Sequence, residues 1–298
     1  MWIACLFLFL VGCLLLYPEL AFQCARNGLI LWFERMVPTL LPFMILSTTI
    51  IRLGVSEKIG GLLHPIFSFI YKTSRNVSFG LAFGLLCGFP MGARIAAQLY
   101  EKNSITKKEA EFLLYISNSI GPVYFCGFAL PLLGLHKAGK ILTGMYGIPL
   151  LYGFILRMTA YRNIKWENNS QAKDTSHSIS ATKFLRELNE SISISVENIL
   201  SMGGYMILFN LLFMVPKLLF ENYAQYLYPL IEITGGIVLC GSSYPIYALV
   251  MLSFGGICCI CQTYNCIQKT DLSIFKYVLH KSIIAILVLF YLQIVMSF

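Results

Sequence analysis

Apolar positions along this chain fall in long continuous runs separated by short polar segments, not in the strict alternation that a membrane β-barrel requires. Continuous runs predict helices, which satisfy their own backbone hydrogen bonds in lipid. The first run, residues 2–16, has no basic residue before it and no small-residue cleavage site ahead of Arg26. It reads as a retained span, and Arg26 and Arg35 behind it favour an outside N-terminus. Residues 40–53 form a short apolar segment opened by Pro38 and Pro42, and residues 59–71 are too short to cross and contain Gly60, Gly61 and Pro65. A re-entrant or interfacial helix suits the latter. Residues 77–100 are long enough to span but are interrupted from Gly88 to Gly92, and residues 109–134 are interrupted from Asn118 to Pro122. Residues 137–156 supply another run. After a polar stretch come runs at about 192–215, 226–240, 246–267 and 274–298. At about 20 residues per span, the pattern predicts an all-α polytopic membrane protein with about eight to ten membrane segments.

The polar stretch divides the chain. Residues 1–35 form an N-terminal span and amphipathic lead-in, 36–158 a first repeat, 159–186 a cytoplasmic linker, and 187–298 a second repeat. Three matches suggest that the halves are related: residues 43–46 over 205–208, 64–67 over 228–231, and 88–106 over 255–273, with offsets that rise in order.

Composition agrees with a lipid environment. Hydrophobic residues make up 57% and charged residues 12% of the chain, and mean hydropathy is +0.73; soluble domains carry about 25% charged residues. The net charge of +8 comes from basic residues placed singly at the ends of apolar runs, which is membrane topology rather than a nucleic-acid surface. Among ten cysteines, the dense group Cys258, Cys259, Cys261 and Cys266 lacks a CxxC repeat and neighbouring histidines, so no metal site is expected. The four histidines are scattered, and no metalloprotease, P-loop, dinucleotide or nucleophile-elbow motif occurs. A carrier is expected rather than an enzyme, with no cofactor.

Candidate chemistry lies at the breaks. A broken helix leaves backbone groups unpaired at bilayer depth, each costing several kcal/mol unless something polar meets it. Gly88, Pro90 and Gly92 form one such break, Gly121 lies in a second, and Thr234, Gly235, Gly236, Gly255 and Gly256 mark two more. Breaks in corresponding places of two halves point to a solute site; the alternative for each is a packing kink. Arg94 and Glu232 are charges inside apolar runs, where each costs about 2.5–3.5 kcal/mol. They either serve a site or pair with each other, and Arg94 has the further option of snorkelling to an interface. Asn118, Ser119 and Gln262 add donors and acceptors, or bond helix to helix.

The segments VPTLLPF (37–43), CGFPMGARIAAQLYEKNSITKKEAEFLLYISNSIGP (87–122), LIEITGG (230–236) and SFGGICCICQ (253–262) together resemble the YlbJ-type sporulation integral membrane proteins, with 88–122 the most specific part. That family lies within the nucleoside-recognition (Gate) domain group, which is similar to concentrative nucleoside transporters. The resemblance implies transport of a small solute during endospore formation, with dipicolinate, a dianionic pyridine, as the associated substrate. It implies a bacterial plasma or outer forespore membrane as the location. On this expectation Gly88, Pro90 and Gly92 cradle the solute, Arg94 meets its negative charge, Asn118 and Ser119 add polar contacts, and Glu232 with Gly235 and Gly236 completes the site as a proton or cation position. A nucleoside or other neutral-solute carrier, and a non-transporting sporulation assembly protein, remain the alternatives.

Overall fold

The computed structural model describes residues 2–135, 138–162, 180–240 and 243–296, with side chains from residue 8 onward. Most of the expected linker, 163–179, and His136 and His177 lie outside the described residues. Among the described residues, six helices are long and apolar enough to cross a membrane. The chain opens with α1 (Trp2–Leu16) and α2 (Pro18–Arg52), a 35-residue helix that runs unbroken through residue 35. The amphipathic α3 (Ser56–Tyr71) follows, then α4 (Arg75–Cys87), α5 (Met91–Glu101) and α6 (Lys107–Ser117). After a break, α7 occupies residues 122–132, and α8 is Ala138–Met158. The second half comprises α9 (Ala181–Leu219), α10 (Ala224–Ile231), α11 (Ile233–Cys240), α12 (Pro245–Phe254), α13 (Gly256–Ile267) and α14 (Ile274–Met296). Leu62, Phe69, Phe275, Phe290 and Ile294 are exposed, as lipid-facing side chains are. The protein is integral to a membrane.

Local sequence sets the helix starts. Ser74 accepts a bond from the Val77 N–H at 3.4 Å and opens α4. Thr106 and Glu109 form a capping box at the head of α6, and Glu109 also accepts from Ser74 Oγ at 3.0 Å. Trp32 Nε1 donates to the Ile199 carbonyl at 2.8 Å, pinning α2 to α9. Close approach of these two helices needs small residues: a Cβ on Gly28 would lie 2.8 Å from the Met206 carbonyl oxygen.

Two helix pairs that the hydrophobic runs present as spans do not cross. The run at 77–100 folds back on itself, α4 against α5, with Gly84 and Gly92 facing each other where the two helices meet. The run at 226–240 does the same, α10 against α11, turning at Glu232. Arms of 13, 11, 8 and 8 residues are too short to traverse about 30 Å of hydrocarbon. Six spans and two hairpins thus make eight membrane segments among the described residues.

The hairpins enter from opposite faces. Arg52, at the end of α2, pairs with Glu187 near the start of α9 at 2.9 Å. Lys102, at the base of the first hairpin, donates to the Ile51 carbonyl at 3.1 Å, and Tyr100 donates to Asp271 at 3.0 Å. These groups share one face. Helix α9 begins there and runs 39 residues, so its far end, and the second hairpin that follows, lie on the other. The order long helix, hairpin, broken span, span therefore occurs twice with inverted direction. The local sequence matches do not all follow this order. Residues 43–46 and 205–208 sit on corresponding long helices, whereas 88–106 belongs to a hairpin and 255–273 to a broken span and the loop after it.

Candidate functional site

The two hairpin tips and the two broken spans converge on one small cavity. Its wall takes Cys87 and Phe89 from the first hairpin, Gly121 and Tyr124 from the first broken span, and Glu232 and Thr234 from the second hairpin. Leu252, Cys259 and Gln262 come from the second broken span, and Met36, Thr39, Met202 and Met206 from α2 and α9. Its volume is about 50 Å³, room for a few waters at about 10–15 Å³ each. Larger crevices flank it. One of about 430 Å³ holds Arg52, Arg94, Lys102, Glu197, Asn198 and Asn265 on the Arg52 face. The other, about 350 Å³, holds Gln23, Asn27, Asn210, Phe213, Lys217 and Tyr228 on the opposite face.

Two helices, α2 and α9, line all three. Along α9, Ile194, Asn198 and Ser201 face the first crevice, Met202 and Met206 the central cavity, and Asn210, Phe213 and Lys217 the second crevice. Residues three or four apart share a helix face. This stripe from 194 to 217 rises about 35 Å, close to the thickness of the hydrocarbon core.

The predicted site residues separate into three groups. Gly121, Glu232, Thr234 and Gln262 line the central cavity. Glu232 is buried and fully engaged: it accepts from the N–H groups of Thr234 at 2.9 Å and Gly235 at 2.6 Å, and from Asn210 Nδ2 at 3.1 Å. It caps α11, where the helix dipole favours a carboxylate. Tyr124 Oη, buried without a closed hydrogen bond, points across the cavity towards Thr234. Gln262 donates to Cys258 Sγ at 3.3 Å.

A second group shapes the tips. Gly88 has φ +82°, and its own missing Cβ and that of Gly121 let these backbones touch; a Cβ on Gly121 would stand 2.7 Å from the Cys87 carbonyl oxygen. Gly256 repeats this in the second half, with the Pro229 carbonyl 2.9 Å from the Cβ position. Gly92 packs against the Asn118 backbone, Gly236 against Pro229, and Gly235 under the Asn210 side chain. Gly255, at φ +100°, receives the edge of the Phe89 ring. Pro90 follows a cis peptide bond and precedes α5.

The third group lies away from the cavity. Arg94 is in the first turn of α5 but faces the crevice on the Arg52 face, beside Gln98, Asn265 and Cys266, and does not meet Glu232. Its Nε is buried without a hydrogen bond. Asn118 is a tie between helices. It accepts from the Ala93 N–H at 3.3 Å and donates to Thr263 Oγ1 and Tyr277 Oη, both at 3.0 Å. Ser119 sits behind the cavity, and its hydroxyl accepts from Lys281 at 3.4 Å.

Lys281 is the residue that the linear reading misses. It lies two turns into α14, and its side chain is completely buried. Only a charge inside the most apolar C-terminal run could have signalled it. Outside the membrane, Asp271 ties the base of the first hairpin to the loop before α14. Its hydrogen bonds from Lys107, at 2.7 Å, and from Tyr100 hold its carboxyl below the usual aspartate range.

Comparison with known proteins follows from this geometry. No protein-family model matches the chain, and no solved structure matches it. The chain is 31% identical over 222 residues to the sporulation integral membrane protein YlbJ of Bacillus subtilis (strain 168), covering 70% of this chain and 54% of that protein. It thus spans about half the length of the curated relative it matches. The six apolar helices and the likeness to an integral membrane protein agree that this chain is integral to a membrane, and in sequence it is similar to that sporulation protein.

Proposed function

We propose that this protein carries a small solute across its membrane through the cavity between the hairpin tips. The observation that carries the reading is the polar and methionine stripe of α9, which joins a crevice on each face to a small central cavity. Hairpins that do not cross are suited to gating, because each can withdraw from the cavity without breaking a span. Methionines at the constriction, Met36, Met202 and Met206, fit changing shapes with little strain. The cavity, at about 50 Å³, is smaller than the roughly 300–1,000 Å³ typical of ligand pockets, so binding a solute requires one tip to move.

An anionic solute is the favoured class. Arg94 stands in the crevice on the Arg52 face and Lys281 lies buried behind the cavity wall, both without carboxylate partners among the described residues, whereas Glu232 is held by three hydrogen bonds. Dipicolinate is the specific candidate through the family resemblance. No enzymatic step is part of this reading. Uptake of labelled dipicolinate and of uridine into proteoliposomes tests it, comparing the wild type with Arg94→Gln. Dipicolinate uptake reduced several-fold in the variant supports an anion carrier with Arg94 on its access route. Uridine uptake alone moves the protein to the neutral-solute class. Silence for both, with folded protein, contradicts transport of either probe and favours a role in assembly.

A further inference from the structure

Among the described residues, Lys281 is a completely buried cation with no ion-pair partner. Its ammonium has three donors. One reaches Ser119 Oγ at 3.4 Å, a long bond to a neutral acceptor. The nitrogen also stands over the face of Phe89, 4.7 Å from the ring centroid. A cation–π contact of this kind offsets only part of the desolvation of a buried ammonium. Among the described residues no carboxylate stands within salt-bridge distance of it. Glu232 lies beyond Cys259, whose thiol is within electrostatic reach of both charges, and Glu232's oxygens are taken by α11 and Asn210. Lys281 therefore has the donors for an anion, and Glu232 is held by α11 and α9 rather than by this ammonium.

Phe89 is also the residue that divides Lys281 from the central cavity. It belongs to the wall of that cavity, stands at the tip of the first hairpin, and rests in the notch left by Gly255. Any withdrawal of the hairpin tip takes the ring with it and opens the ammonium to the space between the tips.

We propose that Lys281 is the solute-binding cation of the central site, and that the Phe89 ring covers it until a carboxylate of the solute takes its place. The inference rests on the transport reading and deepens it. It moves the principal anion contact from Arg94, on the access route, to the middle of the membrane. Ser119 then orients the ammonium, and the two N–H groups now under the ring serve the carboxylate.

The test separates a binding lysine from a structural one. Purified wild-type protein, Lys281→Met, Lys281→Arg and Phe89→Ala would be compared for dipicolinate binding by calorimetry and for thermal unfolding, with uptake of the same probe measured in proteoliposomes. Removing a buried charge in favour of an apolar side chain of similar length is often neutral or stabilising. Lys281→Met is therefore expected to unfold at the same temperature or higher and to bind dipicolinate about ten- to hundredfold more weakly, the range for losing a charged hydrogen-bond partner. Lys281→Arg should retain most of the binding, and Phe89→Ala, which uncovers the ammonium, should bind more tightly than the wild type. Dipicolinate binding unchanged in Lys281→Met overturns the assignment, as does a stability loss in that variant with affinity intact. Absence of wild-type dipicolinate binding also overturns it. If wild-type protein nevertheless takes up uridine, the carrier reading stands while the Lys281 assignment falls.

Discussion

Glu232 shows what a single side chain does here. Its carboxylate holds two backbone N–H groups at the start of α11 and one amide from α9. Leaving such buried donors without an acceptor costs about 1–3 kcal/mol each. Glu232→Ala should therefore lower the unfolding temperature of the purified protein by several degrees, and Glu232→Gln, which keeps an acceptor oxygen, by less. Equal stability of all three proteins would contradict the capping role. Asn118 invites the same reasoning, since it joins α5, α13 and α14 through one amide. Both residues were legible in the sequence as polar groups at helix breaks, but their partners were not. The Asn118 contacts reach from residue 93 to residue 277, and no local pattern encodes distances of that kind. Lys281 was illegible for a related reason: a lone lysine at mid-run looks like the edge of a span until the fold surrounds it.

At the level of elements, the breaks mattered more than the runs. Hydropathy predicted where helices lie and marked Gly88–Gly92, Asn118–Pro122 and Gly255–Gly256 as interruptions, yet it could not say which interruptions turn the chain back. A re-entrant pair and a kinked span have the same composition; what differs is whether the arms pack on each other. Gly84 facing Gly92, and Gly236 facing Pro229, are the contacts that close the hairpins. The glycines of the broken spans then admit the tips. A methyl group at Gly121 or at Gly256 would press within 3.0 Å of a hairpin carbonyl. Overpacking of this order costs about 1–3 kcal/mol, so Gly121→Ala and Gly256→Ala should each displace a tip and reduce transport while leaving the protein inserted in the membrane. Uptake at the wild-type rate in both would show that the tips do not need this contact. The Lys107–Asp271 tie between the head of α6 and the loop before α14 adds a pH dependence. With the carboxyl held below its ordinary range, the tie is fully present at neutral pH and is lost as pH falls through the lowered value.

For the molecule as a whole, inverted repetition follows from the odd number of spans in each half, and it brings hairpins of opposite entrance to a common centre. Basic residues mark one face: Arg52, Arg75, Lys102, Lys107, Arg157 and Lys276 lie on it, against Lys140 and Lys217 on the other. The positive-inside rule places the Arg52 face in the cytoplasm. Lys107→Cys should accordingly react with an impermeant thiol reagent only in inverted vesicles and Lys217→Cys only in whole cells; the reverse pattern would invert the orientation. The central claim concerns the path itself. Labelled dipicolinate uptake into proteoliposomes would be compared between the wild type and Met206→Trp, whose indole fills the cavity midway along α9. The path predicts uptake by the wild type and its loss in the folded variant; undiminished uptake through Met206→Trp would contradict a route between the hairpin tips.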